Sequence, residues 1–338
     1  MTLPDAKRII ELMEAFRTSK AMFTAVSLGV FDRLEHSPAA AADLANEFQA
    51  QTDPLERLLD ACVGLSLLRK KGANYENEPI ASAYLCRDKE STLTGYILYS
   101  NDVLYPMWAH LEDAVREGTP RWNQTFAVEG SIFDHFFRTE EAKQTFLKGM
   151  HGLGVLSSPK VIAAFDLSGF RTLVDLGGGT GHLAISACER YEGIGAIVFD
   201  LPQVIESARA QVRKSRAANR IRFQGGDFFR DELPEADLFA MSRILHDWPA
   251  EKIAKLLSKI HRRLSHGGGL LLAEKLLRED KSGPISAQMQ SLNMLVCTEG
   301  KERTLSEYRT LLEDAGFENV QGHITGGPLD AVLATKRA

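Results

Sequence analysis

The chain has 338 residues, 44% hydrophobic and 25% charged, with a net charge of −5. At ~150 residues per domain this suggests two domains, and so ordinary a composition excludes a disordered chain, a collagen-like repeat and a coiled-coil rod. No apolar run nears the ~20 residues that cross a bilayer, the start does not read as a secretory signal, and mild acidity gives no pull toward nucleic acid or a membrane.

The four cysteines (Cys62, Cys86, Cys188, Cys297) form no CxxC pair, which fits reduced thiols and a cytoplasmic protein. The first half reads as helical. Ile9, Ile10, Leu12, Met13 and Phe16 recur at helical spacing, as do Phe23, Val26, Val30 and Phe31. After an alanine-rich segment, Thr52-Asp53-Pro54 reads as a cap followed by proline in a first helical turn. Leu55, Leu58, Leu59, Cys62 and Leu65 then make one apolar stripe, and residues 70–75 suit a hairpin. Helix, helix, helix, hairpin is the order of a winged helix. The helix in the recognition position carries Asp53, Glu56 and Asp60 against Arg57, and an acidic face opposes phosphate. An oligomerisation or lid domain is therefore expected, without DNA binding.

From about Phe165, short apolar runs alternate with helical stretches. Strands are expected at 173–176, 195–200, 221–224, 236–241 and 269–274, with helices at 184–191, 204–217 and 251–264. That alternation predicts an α/β fold with a parallel, doubly wound sheet. Residues 330–336 read as a late edge strand. The expected division is a helical winged-helix-like dimerisation domain over 1–105, a helical linker or lid over 106–164 and a Rossmann-like catalytic domain over 165–338.

In an open α/β sheet, ligands bind beyond the carboxyl ends of the strands. The first strand ends in Asp175-Leu176-Gly177-Gly178-Gly179-Thr180-Gly181, a loop that lets a ligand lie against the backbone. Such a loop also suits NAD. Asp175, just before the glycines, favours a cationic amino-acid group over a pyrophosphate. Asp200 ends the second strand, where an acid binds ribose hydroxyls. Asp227 follows the third strand, placed to accept from an adenine amine, with Phe228 able to pack on the ring.

These motifs, with Phe199-Asp200-Leu201-Pro202, Gly226-Asp227-Phe228-Phe229, Arg243-Ile244-Leu245-His246-Asp247-Trp248 and the stretch from Thr298 to Thr304, resemble the class I S-adenosylmethionine-dependent O-methyltransferases, within them the caffeate/hydroxyindole group. The resemblance covers nearly the whole chain. It implies a methyl-donor site of Gly177, Asp200, Gly226, Asp227, Phe228 and Arg243, to which the loop itself adds Asp175 and Gly179. It implies His246 as general base, with Glu274 and Glu302 orienting it. Asp247 and Asn293 match positions that meet the acceptor, Met150 one by the acceptor or the donor, and Cys297 stands where the hydroxyindole enzymes have glutamine. Near Gly154 those enzymes carry a large aromatic residue.

The chemistry suits the set. A phenol has a pKa near ~10, so a base must take its proton, and a histidine of reference pKa ~6.5 is free to accept one at pH 7. A carboxylate on the far ring nitrogen fixes the tautomer. With His246 as base a metal is dispensable, and no spacing here marks a zinc or calcium site. His151, in Gly149-Met150-His151-Gly152, is a further candidate. The expected function is methyl transfer from S-adenosylmethionine to a hydroxyl of a small aromatic molecule, by a homodimer. The alternatives are a catalytically silent binder of the same cofactor and an NAD-dependent oxidoreductase.

Overall fold

The computed structural model describes residues 5–130 and 132–337. It divides into two compact units, one ending at Val103 and the next beginning at Leu104.

The first unit holds α1 (Lys7–Leu28), α2 (Val30–His36), β1 (Ala39–Ala40), α3 (Ala41–Phe48), α4 (Thr52–Gly64), β2 (Leu68–Lys71) and β3 (Asn74–Asn77). The three strands form a small sheet in the order β1-β3-β2. Thr52 is the first residue of α4 and makes no capping bond, which corrects the cap expected there; Pro54 does sit in the first turn. Leu44, Leu55, Leu59 and Cys62 meet Val30, Phe31 and Tyr75 in one buried core. The acids on α4 are neutralised locally, Asp53 by Arg57 and both Glu56 and Asp60 by Lys70.

The second unit contains β4 (Thr172–Leu176), β5 (Gly195–Asp200), β6 (Ile221–Gly225), β7 (Ala236–Ser242), β8 (Leu264–Glu274), β9 (Phe317–His323) and β10 (Asp330–Lys336). Their order is β6-β5-β4-β7-β8-β10-β9. Strands β4 to β8 pair in parallel, while β10 runs antiparallel to both β8 and β9. The last strand is thus interior, not the edge expected from sequence. Ala331, Val332 and Ala334 are buried, and the edge is β9, where only Phe317 and Val320 are. The main helices are α5 (Glu140–Ile162), α6 (His182–Arg190), α7 (Pro202–Val212), α8 (Ala250–Arg263), α9 (Ile285–Cys297) and α10 (Leu305–Asp314). α6 and α7 pack Leu183, Ala187, Ala208 and Val212 against Leu173, Ala196 and Val198 of the sheet. This leaves the carboxyl ends of β4 to β8 carrying the polar residues singled out above. Among the described residues no helix is long and apolar enough to cross a membrane.

Candidate active site

The glycine loop begins where β4 ends. Gly177 and Gly179 hold φ of +67° and +55°, backbone that side chains rarely adopt. A Cβ on Gly177 would lie 2.5 Å from Ile244 and 3.5 Å from Phe228, so that glycine lets three segments converge. Beside Gly179 the space is open within 4 Å. Asp175 lies buried beneath the loop; its Oδ2 accepts from the Ala184 N–H at 3.0 Å and its Oδ1 has no partner. Burial pushes that carboxyl up to about 7.

Asp200 is half-buried at the end of β5. Its Oδ2 accepts from the Gly179 N–H and its Oδ1 from the Leu201 N–H, both at 2.7 Å. Burial raises this carboxyl to about 6. Each oxygen keeps a lone pair for a further donor, as a ribose diol requires. Asp227 accepts from the Phe229 N–H at 2.8 Å, and Phe228 is buried edge-on against Phe229. Arg243 holds a φ of +58°, and its Nε is buried without a partner. The loop with its open side, the capped but unsaturated Asp200 and the unpaired Arg243 Nε fit the sulfonium donor expected from sequence.

The short turn Leu245–Asp247 carries the histidine. His246 is 3% exposed. Its Nδ1 lies 2.7 Å from Glu302 Oε1 and 3.4 Å from Glu274 Oε2, and its Nε2 lies 3.7 Å from Asp247 Oδ1. A carboxylate only accepts, so Nδ1 carries the hydrogen and Nε2 is left basic in the neutral ring. Burial alone would lower the imidazole pKa, but Glu274, Glu302 and Asp247 together outweigh it and hold it at about 9. The surrounding carboxylates thus displace the reference value expected from sequence. Burial also raises Glu274, and takes Asp247 to about 6. Glu274 also fixes the turn, since its Oε1 accepts from the Ile244 and Leu245 N–H groups at 3.1 and 2.8 Å.

Glu302 arrives on a loop pressed against that turn. A Cβ on Gly300 would lie 2.2 Å from the His246 carbonyl oxygen, and the Glu299 N–H donates to the Asp247 carbonyl at 3.2 Å. Arg303 donates to the carbonyls of Leu245 and Trp248 at 3.1 and 2.9 Å. Ligand atoms of His246, Glu274 and Glu302 all lie within 4.8 Å, close enough for a metal ion. Nδ1–H donates to Glu302, while Glu274 Oε2, 3.4 Å away, is buried without a hydrogen-bond partner.

On α9, Asn293 Oδ1 accepts from Trp108 Nε1 at 2.9 Å, which fixes the amide orientation and leaves Nδ2 as a donor. Cys297 is buried one turn on, its thiol 3.7 Å from the same oxygen, and burial with the Asp247 charge pushes its pKa up. Met150 is half-buried on α5, and His151 Nδ1 lies 2.8 Å from Thr180 Oγ1. The structure therefore assembles His246, Asp247, Glu274 and Glu302 into one cluster and joins Asp200 to the glycine loop. Trp108, Gly300, Arg303 and His182 join the site without being among the residues expected from sequence. Gly300 and Arg303 lie inside the stretch from Thr298 to Thr304; His182 directly follows the glycine loop.

An O-methyltransferase domain is matched over residues 108–318 and an O-methyltransferase dimerisation domain over residues 10–87. The chain is 42% identical to acetylserotonin O-methyltransferase of Gallus gallus, over 97% of this chain and 96% of that one. It is 44% identical to the probable bifunctional dTTP/UTP pyrophosphatase/methyltransferase protein of Homo sapiens, over 99% of this chain, and spans 54% of that protein's length. Among solved structures it is similar to human N-acetylserotonin methyltransferase in complex with SAM, with a TM-score of 0.94 and 38% identity, covering 100% of this chain and 99% of that one.

Proposed function

The chain belongs to the O-methyltransferase family, and from that premise we propose that it methylates a hydroxyl of a small aromatic molecule, with His246 as general base and without a metal. S-adenosylmethionine, when bound, supplies a methyl group already activated on a sulfonium. The chain's own residues hold the reactants in line and manage one proton. Alignment in attack geometry contributes up to ~7–11 kcal/mol in the best cases.

Gly177, Gly179, Gly226 and Arg243 would hold the donor, with Asp200 on the ribose and Asp227 and Phe228 on the adenine. Asp175, fully buried beneath the loop, would act on the donor's ammonium through its charge rather than by contact. Met150, Asp247, Asn293 and Cys297 would border the acceptor, the Asn293 Nδ2 donating to it. His246 takes the hydroxyl proton on Nε2. The observation that carries this reading is the 2.7 Å contact of Nδ1 with Glu302, which leaves Nε2 as the basic nitrogen. Neutral imidazole with a phenol and imidazolium with a phenolate contain the same protons. The carboxylates around His246 favour the second distribution, the one that attacks. With His246 as the base and its Nδ1–H donating to Glu302, methyl transfer should survive exhaustive chelation by EDTA.

A panel of phenols, indoles and polyketide aromatics with labelled methyl donor, read by mass spectrometry, tests the proposal. Label on a hydroxyl oxygen is the expected result. Donor binding without label on any acceptor would instead favour a silent cofactor-binding protein.

A further inference from the structure

His182 has a place that the reaction has not yet used. It is the residue after Gly181, at the start of α6, and its ring lies across Gly154 of α5. A Cβ on Gly154 would come within 2.2 Å of that ring, so no larger residue fits there while His182 stays.

His182 Nδ1 lies 2.7 Å from the Ser158 hydroxyl, which is 1% exposed and meets no other partner among the described residues. A buried hydroxyl needs an acceptor for its hydrogen. It therefore donates to Nδ1, and the neutral ring carries its own hydrogen on Nε2. Burial, with the charges of His151 and Arg243, pushes the His182 pKa down to about 3, so the ring is neutral across the working range. Among the described residues Nε2 has no protein partner, and the ring is half-buried.

His182, His151 and Arg243 are close enough to act on one another electrostatically, and the Arg243 Nε is itself unpaired. The two unpaired donors, His182 Nε2–H and Arg243 Nε–H, complement an anion beside the glycine loop. Asp175 and Asp200 already answer the donor's ammonium and ribose. The charged group left without a protein partner is its carboxylate. We infer that His182 is a further donor-binding residue, whose Nε2–H binds the amino-acid carboxylate of S-adenosylmethionine beside the Arg243 guanidinium.

This rests on the S-adenosylmethionine reading, and calorimetry separates the two. Native protein is titrated with S-adenosylhomocysteine and with 5′-methylthioadenosine, which lacks the amino acid. His182→Phe keeps an aromatic ring but has no donor; His182→Gln keeps an N–H. Losing a hydrogen bond to a charged group should weaken homocysteine-conjugate binding roughly ten- to a hundredfold in His182→Phe, with methylthioadenosine unchanged. His182→Gln should stay within about threefold of native, since a neutral donor remains. Unchanged S-adenosylhomocysteine binding in His182→Phe, or equal losses on both ligands, overturns the carboxylate role. If His182→Phe does not fold, His182→Ala is titrated in its place, and an unchanged preference for the conjugate overturns the role as well. Native protein that binds neither ligand overturns the cofactor reading itself.

Discussion

A histidine caged by carboxylates gives up its proton at higher pH than one in water, and that would set the range in which His246 serves as the proposed base. Its pKa is raised from the ordinary 6.5 to about 9, so the neutral ring gains population only as pH rises toward 9. For an acceptor of pKa ~10 or above, kcat/KM should climb with pH and level off near 9. Glu302→Gln removes one of the raising charges, so its plateau should begin at lower pH and at a lower rate. An unshifted limb in that variant would show that the carboxylate does not govern His246. Glutamine at 246 cannot take a proton; His246→Gln should lose about 10² to 10⁴ in rate while binding S-adenosylhomocysteine as before. The loss should shrink for acceptors already ionised at neutral pH. Asp200→Ala should show the reverse pattern. Removing charge-assisted bonds to a diol costs roughly 1.5–3 kcal/mol, so the dissociation constant for the donor should rise by tenfold or more in calorimetry. An unchanged constant would remove Asp200 from the ribose.

At the scale of elements, the proposed base depends on a loop that crosses the turn at van der Waals limits. Gly300 faces the His246 carbonyl and the Asp247–Trp248 peptide, backbone atoms that cannot move aside singly. Gly300→Ala should push the loop away and take Glu302 from Nδ1. The expected signature is a His246→Gln-like fall in kcat with the donor constant held, and a kcat/KM plateau that starts at lower pH. A variant with native kcat would mean that the loop yields without moving Glu302. Much of this frame is legible in the sequence because β4, β5 and β7 are apolar runs with an acid or a serine at or next to the end, as in buried parallel strands that stop at a polar rim. β9 is not legible: Glu318, Asn319, Gln321 and Gly322 are exposed, and two buried residues in seven give no alternation to read. Missing it is what turned β10 into an expected edge. The three acids after successive strands and the histidine turn could be read in order along the chain. His182 could not, since its surroundings are made by Gly154 and Ser158 on a distant helix; nor could the Trp108–Asn293 bond, which joins positions 185 apart.

At the scale of the whole molecule, α1 presents apolar side chains to solvent on a helix that has charged ones to spare. Ile9, Met13 and Phe16 are 67%, 65% and 53% exposed, with Ile10 and Leu12 at 49% and 55%. Single exposed apolar residues are ordinary, but a contiguous stripe at i, i+4 and i+7 is the mark of an interaction face. The matched dimerisation domain, residues 10–87, includes most of that stripe. A second copy of the chain is the occupant this favours, because in a two-fold dimer one patch covers its own equivalent. Light scattering at micromolar concentration should therefore give about twice the 37.4 kDa chain mass. Replacing Ile9, Met13 and Phe16 together by serine should return the mass toward one chain. The proposed donor site draws only on residues after Leu104, so S-adenosylhomocysteine affinity should be kept in the serine variant. A native protein that scatters as a monomer would leave the α1 stripe without its partner and end the homodimer proposal. A variant that stays dimeric would move the interface elsewhere in the chain.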